Sequence, residues 1–149
     1  MRTVRIILYC IILLSLLFAP LQRIEIASLE PIQAVWLYQE NEKIILQTDT
    51  ENIGMGTTIE EALTNMKESS TGIVYLDTAQ YVFVSVEAQQ QIVMLRSFVK
   101  SSVRLCKWEG QGSIQEAVAH ADARKIGVKL ADWKQGSNLP EIPPLKGKK

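Results

Sequence analysis

The stretch Ile73-Val-Tyr-Leu76, Asp77-Thr-Ala-Gln80, Tyr81-Val-Phe-Val84 decides the fold. Two short runs rich in β-branched and aromatic residues flank four turn-forming ones, which reads as strand, turn, strand. Neither run alternates with polar residues, so both are predicted to be interior strands of a sheet.

Upstream, residues 32–39 are largely apolar with Gln33 and Gln39 near the ends, Glu40-Asn41-Glu42 breaks the run, and residues 43–48 resume with Ile44, Ile45 and Leu46, a hairpin signal. Gly54-Met55-Gly56 reads as a loop that feeds a helix. Thr58 and Glu61 have capping-box spacing, and Ile59, Ala62, Leu63 and Met66 recur on one helical face. Gly72 closes that unit. Downstream, Ala88, Ile92, Leu95 and Val99 line a second helix face, and residues 103–108 read as a strand. Gly110 and Gly112 lead into a second capping box, Ser113 with Glu116, whose helix turns Ile114, Ala117, Val118 and Ala121 inward. Gly127 is placed to stop it, before a short strand at 128–130. The two glycine-to-cap segments resemble each other, which shared capping chemistry explains without a duplication.

The fold class expected is therefore α/β (α+β): a mixed sheet of about five or six strands with three helices, spanning residues 32–131. Leu63, Val74, Val82, Val84, Leu95, Leu105 and Val118 are expected to meet in one core. Residues 132–149, with Pro140, Pro143 and Pro144, read as an extended tail.

At the other end, Arg2 and Arg5 precede an apolar run over residues 6–19. Cations followed by an apolar core form the n- and h-regions of a secretory signal. Ala19 is the best −1 residue for cleavage, yet Leu17 stands at −3 and Pro20 follows, so the leader reads as a retained signal anchor over 1–21. Secretion after cleavage is the alternative. Arg2 and Arg5 favour a cytoplasmic N-terminus and a domain outside the cytoplasm, joined by a linker at 22–31. Cys10 follows Tyr9 and lacks the small residue that a lipidation signal requires just before its cysteine.

The chain carries 16 cations and 16 anions. It has no basic stripe for nucleic acid and no acidic block for a cationic partner. Lys146, Lys148 and Lys149 concentrate charge in the tail, where solvation accounts for them. Cys10 and Cys106 would lie in different compartments, so no disulfide framework is expected.

Candidate chemistry is sparse. Neither glycine loop completes a phosphate fingerprint, since Ile59 stands where a third glycine belongs and no P-loop lysine follows. His120 is the one histidine, and a Cys106–His120 nucleophile and base would lack an orienting carboxylate at a suggestive spacing. No catalytic, metal or cofactor-binding residue is assigned, and no cofactor is expected. Asp77 reads as a turn residue and Asp49 as a strand-edge solubiliser. Among the tryptophans, Trp36 reads as core, while Trp108 and Trp133 flank loops and are the candidate protein interface.

The order of elements from Gly72 to Ala117 resembles the N-terminal domain of the C subunits of bacterial spore germinant receptors. In that family a strand, a polar turn and a second strand precede a helix with a leucine-arginine pair, then a strand, a glycine loop and a helix opening on an acidic-alanine step. Here these are residues 73–76, 77–80, 81–85, Leu95-Arg96, residues 103–107, 110–112, and Glu116-Ala117. Those subunits are lipoproteins of several domains, whereas this sequence has no usable lipidation signal and reads as one domain. The resemblance implies a single-domain relative with a peptide anchor. The function expected is a membrane-tethered, extracytoplasmic protein-binding domain related to germination or sporulation, with a membrane or envelope protein as partner. A small exported enzyme using Cys106 and a structural envelope protein are the rivals.

Overall fold

The computed structural model describes residues 29–145. The predicted anchor, most of the predicted linker and residues 146–149 lie outside the described residues. The elements are β1 (Leu29–Pro31), β2 (Ala34–Glu40), β3 (Lys43–Thr48), β4 (Ile53–Gly56), α1 (Ile59–Ser69), β5 (Ile73–Tyr75), a 3-10 turn (Leu76–Thr78), β6 (Tyr81–Val84), a second 3-10 turn (Gln89–Gln91), α2 (Ile92–Leu95), β7 (Arg104–Lys107), α3 (Ile114–Arg124) and β8 (Val128–Lys129).

Six strands form one mixed sheet in the order β4-β3-β2-β6-β7-β8. The centre, β2, β6 and β7, is parallel, while β3 and β8 run antiparallel to their neighbours. The hairpin turns at Asn41 and Glu42, both at positive φ (49° and 64°), which matches the twist that a two-residue connection between strands requires.

Strand residues alternate between two faces, and here both faces are covered. Val35, Leu37, Val82, Val84 and Leu105 join one apolar cluster with the buried faces of α1 and α2. Ala34, Tyr81, Phe83 and Cys106 join a second with Ile114, Ala117, Val118 and Ala121 of α3. The single core expected above is thus two. Six of its seven residues share the first cluster, and Val118 belongs to the second. A strand that is apolar throughout, such as β6, needs a cover on each side, and α3 supplies the second.

The caps form where their spacing places them. Ser113 Oγ accepts from Glu116 N, and Glu116 Oε2 accepts from Ser113 N at 3.1 Å, a complete capping box. At α1, Thr58 Oγ1 accepts from Glu61 N, but Glu61 Oε2 reaches one residue further and accepts from Thr57 N at 2.7 Å. The Thr57 hydrogen bonds hold the Glu61 carboxyl below its ordinary value.

Several expectations need correction. Gly54-Met55-Gly56 is no loop but most of the edge strand β4. Met55 N donates to Asn65 Oδ1 and Ile53 O accepts from Ser69 Oγ, so side chains of α1 occupy the open edge. The run at 73–76 is not interior. β5 pairs only with β1, in a separate two-stranded parallel sheet, and exposes Ile73 and Tyr75 on either side of buried Val74. The start of β1 at Leu29 takes up the end of the predicted linker. The second helix is short, a 3-10 turn running into the single turn of α2, although Ala88, Ile92, Leu95 and Val99 are all buried as the periodicity predicted. α3 ends on Lys125 in the left-handed region (φ 53°), two residues before Gly127. Gly127 instead lets β7 come close, since a Cβ there would lie 2.8 Å from Arg104 Cβ.

The predicted tail is largely part of the domain. β8 is two residues long and leaves the end of β7 unpaired. Lys107 N donates to Pro140 O and Ile142 N donates to Lys107 O, so residues 140–142 complete that edge. Trp133, Leu139 and Ile142 are buried, and Arg96 Nη2 donates to the carbonyls of Leu130 and Trp133. The leucine-arginine pair therefore does two things: Leu95 packs in the core and Arg96 holds the C-terminal segment.

Candidate binding surface

Three adjoining hollows open along one side of the domain. The largest, about 770 Å³, lies at the N-terminal ends of β6 and β7 and is lined by Asp77, Gln80, Tyr81, Lys100, Arg104 and Lys125 among others. Asp77 also lines the second, of about 290 Å³, with Lys67, Tyr75, Leu76 and Phe98. Phe98 in turn lines the third, of about 370 Å³, with Ile59, Glu60 and Met94. Shared walls make these one continuous surface, polar and cationic at one end and apolar at the other.

At the polar end Tyr81 Oη donates to Asp122 Oδ1 at 2.6 Å, tying the last turn of α3 to the central strand. Burial, followed by the Asp122 hydrogen bond, pushes the Tyr81 phenol up to about 12. Among the described residues, none of Lys67, Lys100, Arg104 and Lys125 forms an ion pair or a side-chain hydrogen bond. Their amines and guanidinium are thus free to meet an external acceptor, opposed on the same surface by the carboxylates of Glu60, Asp77 and Asp122.

The raised phenol has a measurable consequence. Its neutral form is the one favoured in the fold, so the stabilisation is fully present below the ordinary value of 10.0 and is lost as pH rises through about 12. Spectrophotometric titration of tyrosinate is expected to show late ionisation, to which the burial-raised Tyr38 also contributes, and Tyr81→Phe should reduce it by one tyrosine. A Tyr81→Phe titration that matches the parent would overturn the assignment.

The candidate residues chosen from sequence fall elsewhere. Trp108 and Trp133, expected at a protein interface, are 2% and 6% exposed and serve the cores, a correction to that expectation. Trp108 packs 4.9 Å from Trp36 and 5.6 Å from Phe83, centroid to centroid, in the cluster under α3. Flanking a loop did not expose them: Ile142 and Leu145 pack in the cluster of Trp108, and Trp133, itself part of the C-terminal segment, enters the first cluster. Trp36, expected in the core, is only partly buried and stacks on Tyr38.

Cys106 is fully buried on β7, and burial pushes its thiol up to about 12. His120 is half-buried on α3, and among the described residues no hydrogen bond joins it to Cys106. Asp49 is more than an edge solubiliser: its carboxylate accepts from Gln33 N at 3.1 Å and Ala34 N at 3.3 Å, holding the start of β2. Asp77 sits in the 3-10 turn, as a turn aspartate should, and lines two of the hollows. The glycine loop before α3 delivers its helix end to Glu116, whose carboxylate already occupies the position an anion would take.

What the residue reading missed is a group of exposed apolar residues, Ile73, Tyr75, Val93, Met94 and Phe98, apart from Ile53, Met55 and Val86, which are also exposed. For two of them a signal existed. Val93 and Met94 fall off the face defined by Ala88, Ile92, Leu95 and Val99, which leaves two apolar side chains pointing outward.

Among the described residues no group of three or more His, Cys, Asp or Glu stands close enough to hold a metal ion, and no helix is long and apolar enough to cross a membrane. Comparison with protein-family models, with curated proteins and with solved structures yields no match.

Proposed function

We propose that the chain is a membrane-tethered, extracytoplasmic domain that works by binding a membrane or envelope protein and performs no catalysis. The observation that carries this reading is the leader: Arg2 and Arg5, then an apolar run over residues 6–19 with Pro20 at the one plausible cleavage junction, ahead of a folded α/β unit. A role in spore germination or sporulation rests on the resemblance over Gly72–Ala117 and goes no further than that resemblance does.

The thiol-enzyme rival is disfavoured by the surroundings of Cys106. A nucleophilic cysteine needs an accessible thiolate, and a buried thiol raised to about 12 holds almost none at neutral pH. The largest hollow also lies at the N-terminal ends of the parallel strands β6 and β7, whereas open α/β sheets place their ligand crevices at the carboxyl ends.

The test is fractionation of cells expressing the chain, with N-terminal sequencing of the mature protein and thiol labelling of the native fold. The protein is expected in the membrane fraction with its leader intact and with Cys106 slow to label. A mature N-terminus at Pro20 or later would convert the anchor into a secretion signal. Rapid labelling of Cys106 would make the exported thiol enzyme the better reading.

A further inference from the structure

We infer that the surface formed by Tyr75, Phe98 and Met94 rests on the lipid bilayer itself, so that the tether holds the domain face-down and not as a free-swinging head. The inference depends on the tethered reading above and adds to it a specific occupant for this surface.

Three observations converge. The first is where the undescribed chain joins the fold. β1 begins at Leu29 and pairs in parallel with β5, Leu29 beside Ile73 and Pro31 beside Tyr75. The apolar run and its flank end by Leu21, and the residues between it and Leu29 can span no more than about 28 Å even fully extended. The point of attachment is thus held within about one domain diameter of the bilayer, and it lies next to Ile73 and Tyr75.

The second observation is what surrounds that point. Ile73 is 43% exposed, Tyr75 49% and Met94 64%, and Phe98 and Val93 add to them. Tyr75 and Phe98 line one hollow together, and Phe98 and Met94 line the next. Aromatic and apolar side chains of this kind settle at the headgroup level of a membrane.

The third is the chemistry of the rim. Lys67, Lys100, Arg104 and Lys125, unpaired among the described residues, border the apolar part, with Lys67 sharing the hollow of Tyr75 and Phe98. Their stems can lie along apolar surface while their charged ends meet lipid phosphates. Glu60, Asp77 and Asp122 offset most of that charge, so the apolar side chains supply the attraction and the cations set the depth. A weak surface interaction is enough, because a tether makes docking an intramolecular event at high effective concentration.

The experiment uses the full chain in vesicles of mixed phosphatidylcholine and phosphatidylglycerol that contain brominated lipid. A bimane label is placed at Met94→Cys or, as a distant control, at Ile53→Cys on the outer strand β4, each in a Cys10→Ser background. Ile53 is 44% exposed and lies on the face of the sheet away from α1, so both labels start in water. Flotation with the vesicles reports the tether independently. The expected result is flotation of both, with bromine quenching at Met94→Cys, none at Ile53→Cys, and loss of the Met94→Cys quenching when Tyr75→Glu is added. Flotation without quenching at Met94→Cys overturns the docking inference and leaves the tether standing. Shielding of that label from aqueous quenchers without bromine quenching also overturns it and points to a second copy or another protein on this surface. Failure to float overturns both readings.

Discussion

Phe83→Ala is expected to destabilise the domain by about 3–5 kcal/mol, the range for removing a fully buried aromatic. Phe83 is wholly buried on the central strand β6, opposite Trp36 of β2 and Cys106 of β7 in register. Its ring stacks on Tyr81 at 5.9 Å and meets Trp108 edge-on at 5.6 Å. The cavity left by truncation is fenced by sheet backbone and α3, neither of which can collapse into it. Against a total stability of roughly 5–15 kcal/mol, that loss brings the fold close to its limit. Thermal unfolding should show a midpoint lowered by more than ~10 °C. Met94→Ala, which changes a side chain that is mostly in water, should leave it almost unmoved. Equal midpoints for the two variants would mean that β6 is not the centre of the sheet.

Gly54→Ala is the second large effect, and it acts by overpacking. A Cβ at Gly54 would overlap the backbone carbonyl oxygen of Ala62 and stand 2.6 Å from Met66 Cβ. α1 lies directly on β4 because the strand has no side chain there, and the obstacle is helix backbone, which no rotamer change can move. The substitution should cost about 3 kcal/mol or more, at the upper end for overpacked sites. Adding Met66→Ala should recover little, since the Ala62 carbonyl stays in place. A Gly54→Ala protein with the parent's thermal midpoint would show that α1 and β4 do not approach this closely.

Gly54 also shows why part of the fold could not be read from residues alone. Glycines flanking a methionine have poor strand propensity, and the local reading of such a triplet is a loop. What makes it a strand is the helix that starts five residues on, which needs the space that a missing Cβ leaves. The same kind of tertiary decision placed residues 73–76. Their composition suits an interior strand, but β2, β6 and β7 already occupy the centre, and β5 finds its partner in β1, a segment whose sequence looks like a linker.

Local chemistry, by contrast, determined what it could satisfy locally. The hairpin at Asn41-Glu42, the Ser113–Glu116 box and the buried faces of α1 and α3 all follow from spacing and from side chains within four residues of each other. The sequence by itself therefore settled the class of fold, the hairpin, the caps and the inward faces of α1 and α3. Only the tertiary structure decided which of two cores receives Val118, that Trp108 is covered by the C-terminal segment and Trp133 buried within it, and that Tyr75, Met94 and Phe98 are left facing outward together. Burial on both faces erases the alternation that would assign a side, and the cover over a residue comes from chain far away in sequence, so neither leaves a local signal to read.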